Sequence, residues 1–446
     1  MKVVVVGAGI SGLTAAADLA AAGADVVVIE AGDRPGGKIR RASVAGVLVD
    51  VGAEAMVNRR PEGVALARSV GLDVVHPTTA SSRIWTRGAL RPLPRTLMGW
   101  PLDLDQLASS GILSAAGLER ARRPVDVETT PDDVSVGARG AARFGDEVVD
   151  RIVEPLLGGV YAGDARAISA RAAMPQLISL AAGRPVPAGD ASVPVFAGIE
   201  GGMGLLVDRL AAGLDVRART TARELRRTPA GFDVVTGPVP APAVERCNAV
   251  VLATPAAASS RLLADLAPRA AAGLAAVEYA SMAVVTLAFR VADLPPGLGE
   301  ASGFLVPPVD RRRVKASTFS FSKWGWVRAA GEDAGGLALL RTSLGRHGDE
   351  VTLQRTDEAL VADSLADLRD AVGLDAVPVD AVVQRWGGGL PQYAVGHVER
   401  VVAIRSDVDD VPGLAVCGAA YDGVGVAACI ASGHAAAHRV LHPAAG

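Results

Sequence analysis

The sequence predicts an α/β fold with α+β inserts, in which one doubly wound parallel sheet is assembled from three separated pieces of chain. Residues 2–30 read as strand, turn, helix, strand, the βαβ unit of such a sheet. The same strand-then-turn pattern returns in ERCNAVVLATPA (245–256) and in PGLAVCGAAYDGVGVAACIASG (412–433). Between these recurrences lie one helical stretch and one of alternating strands, so two inserts interrupt the sheet.

KVVVV is a continuous apolar run, as a strand buried on both faces requires. SGLTAAADLAAAG follows as a helix whose end is marked by Gly23. DVVVIE is the second strand and finishes on an acid. LMGWPLDLDQLASSGILSAAGLERAR (97–122) and the stretch from Asp132 to Leu157 read as helices, punctuated at Pro124 and Pro131. MAVVTLAFRV and GLALLRTSLG read as strands, with a helix around 351–372. The resulting division gives residues 1–75, 196–256 and 386–446 to a discontinuous Rossmann-like domain. It gives 76–195 to a helical insert and 257–385 to a mixed-sheet domain.

Of 446 residues half are hydrophobic and 21% charged, a globular composition. A net charge of −3 argues against nucleic-acid binding, which needs a basic face. Cys247, Cys417 and Cys429 are too few and too scattered for a disulfide framework, and alanine-rich surroundings make Cys417 and Cys429 plain buried thiols. The six histidines form no metal-binding pattern, and His434, His438 and His442 read as a solvated helix face. With no export signal and no long apolar run, the expected location is the cytoplasm, with at most peripheral membrane contact. Of the 45 basic residues only Lys2, Lys38, Lys315 and Lys323 are lysines.

VVVVGAGISGL carries the first chemistry. Gly7, Gly9 and Gly12 fit G-x-G-x-x-G: a tight turn, a close backbone approach to a pyrophosphate, and close helix–strand packing. Ala8, Ile10 and Ser11 fill the loop, and the helix behind it aims its positive end at phosphate. Glu30, followed by Ala31, is placed to accept from a ribose hydroxyl and would repel a 2′-phosphate. AGDRPGGKIR then adds a second glycine pair, Gly36 and Gly37, with Lys38, a loop able to fold back over the pyrophosphate and typical of FAD enzymes.

VLVDVGAEAMVNRRPE (47–62), EPLLGGVYAGDARAISARAAMPQL (154–177), GGLPQYAVGH (388–397) and GLAVCGAAYDGVGVAACIASG (413–433) make the chain resemble the flavin-dependent porphyrinogen oxidases, relatives of monoamine oxidase. The resemblance runs in order along nearly the whole chain, and GGVYAGDA with LPQYAVGH is its specific part. It implies a monoamine-oxidase-like fold and non-covalently bound FAD. Around FAD it places the first glycine turn, Glu30, Gly37, Lys38, Gly52, Ala53 and Glu54, with Thr221 and Ala222 near the adenine. It places Gly418, Gly423, Val424, Gly425, Val426 and Ala427 beside the flavin ring.

For substrate it implies Arg83 as a propionate partner, with Arg59 and Arg60 as further candidates. Gly159 and Gly163 bracket a turn offering carbonyls to pyrrole N–H groups. Tyr161, Phe319, Trp324 and Tyr393 either wall a macrocycle or pack the core. The implied reaction is the six-electron oxidation of coproporphyrinogen III to coproporphyrin III, three O2 being reduced to H2O2 and the product passing to a ferrochelatase. The alternatives are protoporphyrinogen IX as substrate, a flavin amine oxidase, or a non-catalytic flavoprotein or porphyrin carrier. No side-chain catalyst is expected, because the flavin carries the hydride chemistry.

Overall fold

A computed structural model describes residues 1–78, 81–123, 125, 132–177 and 193–442. Pro124 and Pro131, expected to punctuate the helical insert, lie outside the described residues. The parallel sheet has five strands, ordered Asp215–Arg217, Asp25–Ile29, Lys2–Val6, Ala249–Leu252, Leu414–Val416. Its strands thus come from the beginning, middle and end of the chain. Every valine of Lys2–Val6 is buried, which is why that run alternates nothing. ERCNAVVLATPA supplies two strands rather than one. Ala243–Cys247 closes a separate three-stranded antiparallel sheet, and Ala249–Leu252 enters the parallel one.

Helix Ile10–Ala21 and the C-terminal helix Val426–Leu441 pack side by side on one face of this sheet. Gly433 makes the contact possible: a Cβ there would sit 2.4 Å from the Ser11 carbonyl oxygen.

The second sheet has seven strands, ordered Asp380–Pro391, Tyr279–Arg290, Leu337–Leu344, Val314–Thr318, Gly303–Leu305, Arg83–Thr86, Ala89–Pro92. Three of its strands cross the boundaries expected from sequence. The hairpin Arg83–Pro92 joins this sheet instead of the helical insert, because Arg83 and Ile84 pair in parallel with Phe304 and Leu305. Strand Asp380–Pro391 runs unbroken through position 385, twelve residues long beside Tyr279–Arg290. One face of the sheet buries Ala283, Val285, Leu287 and Phe289 under helix Asp357–Val372. The opposite face is left to line a chamber.

Helices Leu104–Ser110, Ala115–Arg122, Val136–Phe144 and Glu154–Tyr161 surround a third core built on Ile152, Val153 and Leu157. The helix expected from Leu97 starts later. Thr96–Leu97 pairs with Trp100–Pro101 across Met98 and Gly99, both at positive φ, and helix begins only after the Asp103 cap. No helix of the described residues is long and apolar enough to cross a membrane.

Candidate functional site

Two adjoining cavities form where the sheets meet. The first, about 130 Å3, lies over the glycine turn at the end of strand Lys2–Val6. Gly7 stands at φ +106°, and a Cβ on Gly12 would lie 2.0 Å from the Gly7 carbonyl oxygen. Only glycine permits this helix to start so close to the strand. The helix is capped by Gly9 with no side-chain hydrogen bond, so its first N–H groups remain available to a ligand.

The second glycine pair folds directly onto the first turn. Gly36 N–H donates to the Ala8 carbonyl at 2.7 Å, and a Cβ on Gly37 would touch Gly9 Cα at 3.4 Å. Glu30 receives the Ala8 and Gly32 N–H groups at 2.8 and 2.7 Å, which fixes its carboxylate at the rim of the turn. Gly9, Ile10, Ser11, Gly37, Lys38, Ala53, Gly418, Val424 and Val426 all line this one cavity.

The C-terminal helix starts at the same cavity. Gly425 caps it, again without a side-chain bond, and Gly423 reaches φ +148° just before it. Ala427 is buried in its first turn. Two uncapped helix starts therefore converge on one glycine-lined space, beside Lys38, whose pKa burial lowers. That arrangement fits a diphosphate and a ring that carries negative charge on reduction. Cys429 also lines the cavity, and burial raises its thiol pKa, so it is a poor nucleophile.

Thr221 and Ala222 stand apart, lining a separate hollow of about 250 Å3. Thr220 N–H donates to the Glu30 carbonyl at 2.8 Å, so this hollow adjoins the acidic end of the second strand and Ala31. Glu54 does not line the first cavity. Lys323 Nζ holds it at 2.7 Å and Arg341 Nη2 at 3.3 Å. Burial alone would raise its pKa, but the two cations hold it at about 2. Arg341 also donates to the carbonyls of Asp50 and Gly52, at 3.1 and 2.7 Å, tying the seven-stranded sheet to the cofactor side. Glu54 is a junction residue, already occupied.

The second cavity, about 300 Å3, shares Lys38, Ala53 and Val424 with the first and adds Gly52. Its wall is the free face of the seven-stranded sheet: Met282, Val284, Ala316, Thr318, Arg341 and Ser343. Gly159 and Val160, from helix Glu154–Tyr161, close one side, and Trp386, Gly389 and Leu390 another.

The arginines and aromatics singled out for substrate stand elsewhere. Arg59 and Arg60 are exposed, and Arg83 does not line the chamber. Arg83 shares a strand face with Trp85, whose ring meets Phe304 in the core on the far face of the sheet. Phe319 packs in that same core, against Phe304 and Phe321. Trp324 fills space over Gly198, where a Cβ would come within 2.9 Å of its ring. Tyr161 and Tyr393 lean together at 5.5 Å in the helical core, and burial lifts the Tyr161 phenol to about 12. Tyr393 donates to the Ala419 carbonyl at 2.6 Å and stacks on His397. Gly163 gives room to Gln392, whose Nε2 donates to the Tyr161 carbonyl at 2.8 Å.

Sequence reasoning missed Trp386, Arg341 and Lys315 on the chamber wall. Lys315 had a signal, being one of four lysines and set in the strand Val314–Thr318. Trp386 sits in WGGGLPQY, whose neighbours had drawn attention instead.

Comparison with known proteins agrees with this geometry. Residues 10–441 match the family model of flavin containing amine oxidoreductases. A Mycobacterium tuberculosis protein named coproporphyrinogen III oxidase is 37% identical, covering 98% of this chain and 96% of its own. Human protoporphyrinogen oxidase is 29% identical, with 98% of both chains covered. A crystal structure from Exiguobacterium sp. 255-15, presented provisionally as a protoporphyrinogen oxidase, superposes with a TM-score of 0.85 at 29% identity over 98% of each chain. The chain belongs to the flavin containing amine oxidoreductase family, and is an FAD-dependent oxidoreductase.

Proposed function

We propose that the protein oxidises coproporphyrinogen III to coproporphyrin III, with FAD as hydride acceptor and O2 restoring the cofactor. The observation that carries this reading is the chamber that shares Lys38, Ala53 and Val424 with the cofactor cavity. Its titratable lining is cationic, Lys38, Lys315 and Arg341, with no Asp or Glu among the described residues. A macrocycle bearing four propionates suits such a chamber better than an amine does, because an ammonium would be repelled. The 37% identity to the mycobacterial relatives named coproporphyrinogen III oxidase, against 29% for human protoporphyrinogen oxidase, supports the same choice.

In this reading Gly9, Ser11 and the Gly36–Gly37 loop hold the diphosphate, and Glu30 takes the ribose. Gly418 and the Gly423–Val426 turn hold the flavin end. When bound, the flavin supplies the hydride-accepting position that each two-electron step needs. The chain's own part is to orient the ring and exclude bulk water between the sheet face and helix Glu154–Tyr161. The start of helix Val426–Leu441 opposes negative charge accumulating beside it. Cys429 forms no bond to the cofactor, so FAD leaves the denatured chain.

Anaerobic mixing with coproporphyrinogen III should bleach the flavin absorbance near 450 nm. Unbleached flavin would end the oxidase reading. Aerobic assays with coproporphyrinogen and protoporphyrinogen side by side, read by porphyrin fluorescence, should favour the former. Faster turnover of protoporphyrinogen would reverse the substrate choice.

A further inference from the structure

Lys315 is 5% exposed, yet its Nζ has no hydrogen-bond partner among the described residues. An ammonium left so is costly, since neither water nor a carboxylate replaces its hydration. The side chain lines the 300 Å3 chamber and also a small hollow behind it, with Glu154 and Arg346. Lys38 belongs to the cofactor cavity as well, and Arg341 is engaged by Glu54. Lys315 belongs to neither arrangement. Among the described cations of the chamber, Lys315 is the one set apart both from the first cavity and from Glu54.

Its surroundings are positive. Arg346 is half-buried and donates only to the carbonyls of Arg312 and Val306, at 3.3 and 3.2 Å. Glu154, the acid of the hollow, is engaged by the Ala165 N–H at 2.7 Å. Burial raises the Glu154 pKa to about 7, which weakens its claim as a counter-ion at neutral pH. The missing partner is therefore an anion that arrives with the substrate.

We propose that Lys315 is the anchor for a carboxylate of the substrate, fixing the ring's position in the chamber from the side away from the cofactor. This rests on the porphyrinogen reading and adds to it a residue and a register: one propionate points at the Lys315–Arg346 corner. Burial and the neighbouring Arg346 depress the Lys315 pKa to about 7, and a bound carboxylate would return it to the charged form.

The test uses the flavin-loaded full chain and two stable probes, coproporphyrin III and its tetramethyl ester, titrated by Soret absorbance. Lys315→Met should raise the Kd for the acid roughly 10- to 100-fold, as expected for loss of a charge-assisted hydrogen bond, and leave the ester within about twofold. In turnover the same variant should raise KM far more than it lowers kcat. Lys315→Gln, a polar replacement, gives the same comparison if the methionine variant folds poorly. An acid affinity unchanged by either variant, or acid and ester weakened equally, would overturn the anchor. If the wild-type protein oxidises coproporphyrinogen while the variants bind as it does, the anchor alone fails. If the wild-type protein neither binds the porphyrins nor oxidises the porphyrinogen, the substrate reading fails and takes the anchor with it.

Discussion

Two buried clusters on the same seven-stranded sheet treat charge in opposite ways. Beside the first cavity, Glu54 is enclosed by Lys323 and Arg341, and each of the three faces an opposite charge. At the other cluster, Lys315 lies deeper still, its Nζ without a hydrogen-bond partner among the described residues. The first arrangement is closed and holds two parts of the chain in place. The second is open, and its instability makes sense only as a site waiting for an anion. Burial alone thus does not distinguish structural charge from functional charge; the presence of a partner does.

The largest expected effect comes from opening the closed cluster. Glu54→Gln leaves two buried cations without a counter-charge and should cost about 3–5 kcal/mol of stability, read from the urea midpoint. The Glu54 pKa is lowered in the fold, so its contribution is present above about 4.5 and disappears as pH falls toward 2. The gap between wild type and variant should therefore close across that window. A gap that stays constant would mean the cluster is held by packing instead.

Closing the open cluster should have the opposite sign. Lys315→Met removes an unpaired cation and should stabilise the fold by ~1–3 kcal/mol at pH 6, in a flavin-loaded thermal scan. The folded pKa of Lys315 lies below the unfolded value of 10.5, so its penalty is full below about 7 and fades toward 10.5. The gain should shrink accordingly between pH 7 and 10. Arg346 and Glu154 line the hollow behind Lys315, and Arg341 lines the chamber beside it, in both proteins. A variant that is less stable than wild type at pH 6 would sink the idea that Lys315 is held at a cost.

The cofactor layer was legible because its requirements are local. Gly12 packs on Gly7 and Gly36 on Ile39 within a few residues, Gly37 meets Gly9 from the following loop, and Glu30 follows its strand at a fixed interval. The chamber was not legible, since its wall is assembled from residues scattered between 38 and 424, and alternation along the strands decides which side chains face inward. Phe319 and Lys315 lie four residues apart, yet one fills the far core and the other lines the chamber. A bulge between Val314 and Ala316 shifts the register there, and no sequence pattern announces it. The surroundings of Glu54 were hidden for a related reason: its neighbour Ala53 lines the first cavity, but its own partners come from residues 323 and 341.

Between these two kinds of position lies Glu30, whose carboxylate already holds two N–H groups of the glycine turn. Glu30→Gln should weaken FAD retention by about tenfold, the loss of one charge-assisted hydrogen bond, while the melting temperature of the FAD-free protein changes little. Ultrafiltration followed by flavin absorbance measures it. Retention equal to wild type would indicate that the carboxylate serves the turn alone.

The smallest effect is expected at Arg83, and it sharpens the comparison between the two clusters. Arg83 follows the alternation of Trp85 and stands outside the chamber lining, whereas Lys315 lies within it. Arg83→Ala should therefore change KM for coproporphyrinogen less than twofold, under conditions where Lys315→Met raises it at least about tenfold. A KM for Arg83→Ala matching that of Lys315→Met would place a propionate on the hairpin Arg83–Pro92 instead. That outcome would require the edge of the seven-stranded sheet to turn toward the chamber when substrate binds, since its present register points the guanidinium the other way.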